Sequence, residues 1–128
     1  MGKDRRLTTE MMVLHLNGAV STRDVVALFE SLPFPMRGTN SIRVLFDWRA
    51  LTEWSLEDWG ILREARWSEI ACPVSQIAMV HHPIWKRQAA MFAAILRREN
   101  VLVRSWKPEQ IEEAFAWLAK TLHGKEAR

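Results

Sequence analysis

The chain has 128 residues, 18 Lys+Arg against 15 Asp+Glu, a formal charge of +3 and a single cysteine. That length suits one domain able to bury roughly 65% of its unfolded-chain surface. The 48% hydrophobic and 26% charged shares exclude disordered, collagen-like and coiled-coil classes. Lone Cys72 excludes an intramolecular disulfide and a Cys-rich zinc site and fits a reducing, cytoplasmic setting, while no apolar run approaches the ~18 residues of a membrane span and no signal-peptide pattern opens the chain.

After a short frayed start (residues 1–6), Leu7 to Asn17 reads as a strand, with an apolar run at Met11–Leu16 ending in Asn17-Gly18. Ser21 is a good N-cap and Asp24, three residues on, acts as its capping-box acid. Val25, Leu28, Phe29 and Leu32 then follow at helical spacing, so a helix is predicted over 22–32. Pro33 to Asn40 is a loop. Ile42 to Trp48 is a strand whose Val44-Leu45-Phe46 centre is apolar on both faces, as a covered parallel strand requires. Ser55 caps a helix predicted to reach Ile70, broken by Cys72-Pro73, with Glu57 and Asp58 in its first turn. Gln76 to His82 is a third strand, Pro83 opens a helix through Arg98, and Val101 to Trp106 is a fourth strand. Pro108 opens the last helix, whose Ile111, Ala114, Phe115, Leu118 and Leu122 form one stripe; Gly124 stops it and 124–128 form a frayed end. The order βαβαβαβα predicts a single α/β domain: a mostly parallel, or mixed, sheet of four or five strands with helices on both faces.

Several of these segments together resemble a family. The first strand ends in Asn17-Gly18 ahead of the helix-opening Ser21-Thr22-Arg23-Asp24. Ile42–Trp48 is a strand closing on Asp47, Gln76–Val80 precedes a turn into helix, and Val101–Trp106 precedes a helix carrying Glu113–Leu118. This order and spacing resemble the SpoIIAA-like branch of the STAS domains, from about Leu7 to Leu122, a fold also similar to CRAL-TRIO lipid carriers. The resemblance implies the fold and is poorly specific for function. Anti-sigma-factor antagonists of the STAS class carry an Asp-Ser-Ser-Gly-like segment whose Ser is phosphorylated. Here that segment falls at Ser55-Leu56-Glu57-Asp58, and its phosphorylatable position is Leu56 or Glu57, neither with a hydroxyl. The resemblance therefore carries the fold and not the phospho-switch, and helix capping accounts for Ser55.

Open α/β sheets bind ligands outside the carboxyl ends of their strands. A candidate rim there comprises Asp47 and Trp48, with Arg49 following, then His81 and His82, and then Trp106. Adjacent His81 and His82 point to opposite faces of a strand and cannot serve one ion, so no metal is expected. No cofactor is expected either, because the chain has no Walker-type loop, no Gly-x-Gly-x-x-Gly and no Gly-x-Ser-x-Gly. His15 reads as a hydrogen-bonded strand residue.

Seven Trp and no Tyr are unusual, and thirteen Arg are spread along the chain rather than gathered in a stripe, which argues against specific nucleic-acid binding. On one helix at 100° per residue, Trp59, Arg63, Arg66 and Trp67 share a side, with Trp54 just before it. The plain reading packs the Arg stems and leaves their heads in solvent. The functional reading makes this a binding face for an anionic amphiphile or an acidic protein patch. The continuous apolar run Ala89–Leu96 offers Met91, Ala94 or Ile95 for a second contact, a homodimer among the options. The sequence thus predicts a cytoplasmic, non-enzymatic domain recognising a protein or a small apolar or anionic ligand; the alternative is a lipid or amphiphile carrier.

Overall fold

The structure, a computed structural model, describes residues 9–32, 41–55, 57, 59–71 and 74–122. Four strands, β1 (Thr9–Ala19), β2 (Ser41–Glu53), β3 (Val74–Val80) and β4 (Leu102–Trp106), form one sheet in the order β1-β2-β3-β4. Every neighbouring pair is parallel. The helices are α1 (Thr22–Glu30), α2 (Trp59–Glu64), α3 (Trp67–Ile70), α4 (Lys86–Arg97) and α5 (Ile111–Leu122).

Strand order explains where the helices lie. When each right-handed crossover advances one strand in the same direction, the connecting helices fall on the same face. Accordingly Leu14, Val44, Phe46, Ile77, Met79 and Val103 point into one large core with Val25 and Phe29 of α1, Leu62 of α2, Trp67 of α3 and Phe92 and Leu96 of α4. Among the described residues no strand follows α5, so it is free of that rule, and it is the one described helix packed on the other face. There Leu45, Ala78, Val80 and Trp106 pack with Ala114 and Leu118 in a smaller core. Helices on both faces are present as expected, in unequal number.

The centre of the large core is aromatic. Phe46 meets Phe29 at 5.1 Å, Phe92 at 5.4 Å and Trp48 at 5.6 Å between ring centroids. These rings, with Trp67, occupy the layer between sheet and helices.

Local signals account for most boundaries. Ser21 Oγ accepts from the Asp24 amide (3.1 Å) and Asp24 Oδ2 accepts from the Ser21 amide (2.8 Å), the reciprocal capping box expected from the sequence. Asn100, at φ 66°, turns the chain from α4 into β4. Pro83–Trp85 and Pro108–Gln110 form 3-10 turns, so α4 and α5 begin three residues later than the prolines suggest. Two expectations are corrected. The second strand does not stop at Trp48 but runs on to Glu53, pairing with the end of β1 across register shifts at His15/Asn17 and Gly18/Ala19. Gly18 adopts φ +70° there, which suits a glycine at a bulge. The single helix expected through Ile70 is two short ones, because Arg66 (φ −84°, ψ 71°) leaves the helical region and redirects the chain. That turn drops Trp67 against Phe29 and Phe92 and lets its indole donate to the Leu62 carbonyl at 2.6 Å. The predicted loop at 33–40, the Cys72-Pro73 break, residues Leu56 and Asp58, the start of the first strand at Leu7, the Gly124 stop and both frayed ends lie outside the described residues.

Candidate functional site

The rim predicted at the strand ends divides between the two faces of the sheet. Asp47 lies within β2 and points to the α5 face, where it is buried. The pairing register sets His15 beside it, and His15 Nδ1 donates to Asp47 Oδ2 at 3.1 Å. Arg49, two residues along the same strand, donates from Nε to Oδ1 and from Nη2 to Oδ2, both at 2.9 Å, and its amide adds a further 2.9 Å bond to Oδ1. Burial alone would raise the Asp47 pKa. The hydrogen bonds and charge of Arg49, with a smaller contribution from His15, outweigh it and hold the carboxyl below its usual range. The same bond lifts Arg49 further above its ordinary value, against a smaller opposing effect of burial. Charge is largely neutralised inside this trio, so it acts first as a clamp between β1 and β2.

Trp48 points the opposite way and is fully buried, with its ring 5.7 Å from that of His81. His81 Nδ1 donates to the His82 carbonyl at 2.8 Å, while the His82 side chain is exposed. Trp106, on the α5 face, packs at 5.2 Å on Trp117, and the Arg104 guanidinium lies 5.2 Å from its ring centroid. The five rim residues therefore do not converge on one point. Among the described residues no three His, Cys, Asp or Glu gather in a way that could hold a metal ion.

The proposed tryptophan face is likewise rearranged. Trp54, Trp59 and Trp67 are buried: Trp54 stacks on Trp59 at 4.7 Å, meets Trp48 at 5.3 Å and donates from its indole to Thr22 Oγ1 at 3.2 Å. Arg63 and Arg66 are exposed, and Arg66 Nη2 pairs with Glu69 Oε2 at 2.9 Å. The tryptophans are core, and the two arginines do not line a wall with them. The cause is the turn at Arg66, which the helical projection of a continuous helix omits. Of the second-contact residues on α4, Met91 and Ala94 stay exposed and Ile95 packs against the large core.

What the same surface does hold is an open cleft of about 400 Å³ between α1 and the α2–α3 turn. Val26, Ile61 and Ile70 supply apolar walls, and Glu30, Glu64, Glu69 and Arg66 surround them. With Arg66 committed to Glu69, the remaining charge of the rim is that of Glu30 and Glu64. A cleft of this make-up suits an apolar side chain flanked by cations and disfavours an anionic head group. None of Glu30, Ile61, Glu64 or Glu69 stands out in the sequence. The acid-rich tail of the helix was the available signal, but only the turn at Arg66 and the packing against α1 bring these residues together.

Ser55 Oγ accepts from the Glu57 amide at 3.0 Å, which accounts for its hydroxyl as a turn-forming group ahead of α2. No helix of the described residues is long and apolar enough to cross a membrane. The family model described as SpoIIAA-like matches residues 11–119. Comparison with curated proteins and with solved structures returned no significant match.

Proposed function

From the premise that this chain belongs to the SpoIIAA-like family, we propose that it is a non-enzymatic recognition domain that docks a protein segment carrying basic side chains beside an apolar one. The observation that carries this reading is the α1/α2–α3 cleft, with apolar walls and an acidic rim. A partner's aliphatic side chain would enter between Val26, Ile61 and Ile70, and its Lys or Arg neighbours would meet Glu30 and Glu64. Exposed pairs of this kind steer and orient more than they bind, so most of the affinity would come from the apolar contact.

The amphiphile-carrier alternative has less support, because the layer between sheet and helices is occupied by Phe29, Phe46, Trp48, Trp67 and Phe92. One titration separates the two. With isotope-labelled protein and a Lys/Leu peptide as probe, amide shifts are expected to concentrate at Val26, Ile61, Ala65 and Ile70 and to require several-fold more peptide in Glu30→Lys/Glu64→Lys. Decanoate should leave those amides unmoved. Decanoate binding in the cleft with no response to the peptide would reject the protein-docking reading in favour of the carrier.

A further inference from the structure

The two edges of the sheet are built differently. β4 is short, five residues, and is protected in two ways that edge strands commonly use. Arg97 at the end of α4 donates from Nη2 to the Val103 carbonyl at 2.8 Å, occupying a backbone acceptor of that strand, and Arg104 places a charge at its centre. β1 is eleven residues long and pairs only with β2 among the described strands. From Met11 to Ala19 its sequence, MMVLHLNGA, contains no Lys, Arg, Asp, Glu or Pro. Up to His15, ahead of the register shifts, such a strand presents a row of backbone donors and acceptors with no charge or proline to deter another strand.

A second feature adjoins this edge. α5 contacts β3, β2 and β4, and its Trp117 side leans toward Trp106 of β4. Among the described residues no helix packs extensively on the α5-facing side of β1, where Met11 is 37% and Val13 40% exposed. On α5, Phe115 is 38% exposed and lines a shallow apolar hollow with Ile111 and Ala119. Exposed apolar side chains thus adjoin the β1 edge at Met11 and Val13, and at 100° per residue Phe115 lies on the side of α5 away from Trp117.

We infer that a second copy of this chain occupies that border, the two β1 strands pairing antiparallel about a two-fold axis to give a continuous eight-stranded sheet. The strand suits its own copy. An axis at Val13 pairs Thr9–Asn17 of the two copies, keeps the odd-numbered side chains near the axis on the α5 face, and sets Met11 of each against His15 of the other and Glu10 against Leu16, so no formal charge of the paired segment meets its like. About nine paired residues span roughly 30 Å, and with the flanking apolar strip they bury on the order of 1,000 Å² in total, the lower end for a specific interface. The dimer is therefore expected to dissociate in the micromolar range. This surface is separate from the α1/α2–α3 cleft, so either proposal can fail without the other.

Sedimentation velocity of the full chain from about 1 to 200 µM should show a monomer–dimer equilibrium, weakened at least about tenfold by Val13→Lys, since like charges would then face each other across the pair. Circular dichroism should show the variant folded, Val13 being exposed. In Cys72→Ser/Val13→Cys, mild oxidation should yield disulfide-linked dimer, whereas Cys72→Ser/Ile61→Cys should not. A monomer throughout the range would overturn the inference. So would a dimer indifferent to Val13→Lys, or equal cross-linking at positions 13 and 61.

Discussion

Phe46 and Asp47 are adjacent in β2 and face opposite sides of the sheet, and each controls its own side. Phe46 is fully buried among Phe29, Phe92 and Trp48, so Phe46→Ala should cost about 3–5 kcal/mol in urea denaturation, because the surrounding rings can only partly close the gap. Asp47 acts through charge. Its folded-state pKa lies below its unfolded value, so the unfolded chain binds the extra proton in the window between them. The resulting stability is complete above the ordinary carboxylate range and is lost as pH falls through the lowered folded value. Asp47→Asn should therefore flatten the acid limb of a stability–pH profile while leaving its slope near neutral pH unchanged. An acid limb identical to the wild type would show that Asp47 gains nothing from Arg49 and His15. Asp47 was visible from sequence as a polar residue closing an apolar strand. Its partners were not, because Arg49 to Glu53 lacks the alternation that marks a strand, and His15 is brought alongside only by the β1–β2 register.

Among the elements, α1 was the most legible, since its cap, its spacing and its end all lie within a dozen residues. Ser21→Ala removes one half of the reciprocal cap and should cost about 1 kcal/mol, read as a lower denaturation midpoint at unchanged slope. The α2–α3 segment was the least legible. Its periodicity is that of one helix, and the information that breaks it resides in tertiary contacts: the Trp67 bond to Leu62 and the rings of Phe29 and Phe92. Trp67→Phe keeps a ring in place but removes the indole bond to the Leu62 carbonyl, which retains only the longer bond from the Ala65 amide (3.4 Å), at a cost of about 1 kcal/mol; Trp67→Ala should cost about 3–5 kcal/mol. Equal losses in thermal or urea unfolding would mean that the hydrogen bond, not the packing, sets the turn. The tryptophans are large anchors of the core rather than of an exposed face, for the same reason.

Taken as a whole, the molecule is lopsided. α1 to α4 share a large core on one side of the sheet, whereas α5 is held by a small one formed chiefly with Leu45, Ala78, Val80 and Trp106. Alternation of strands and helices was enough to predict a parallel sheet, but it carries no information on strand order, which decides how the helices divide between the faces. Less buried apolar area beneath α5 implies a lower free energy of opening. Amides of Ala114 to Leu118 should thus exchange with solvent through an opening that leaves β2, β3 and α4 protected, and exchange of all four elements at one common rate would contradict this.

The sequential order of the strands also has a bearing on synthesis. Each strand is laid beside the one made just before it, so a nascent chain leaving the ribosome can extend the sheet and cover its first face step by step, without waiting for distant sequence. The second face gains no such cover as it grows. Leu45, Ala78 and Val80 remain wet until α5 emerges, and for that interval the half-made protein carries the kind of sticky surface on which chaperones act.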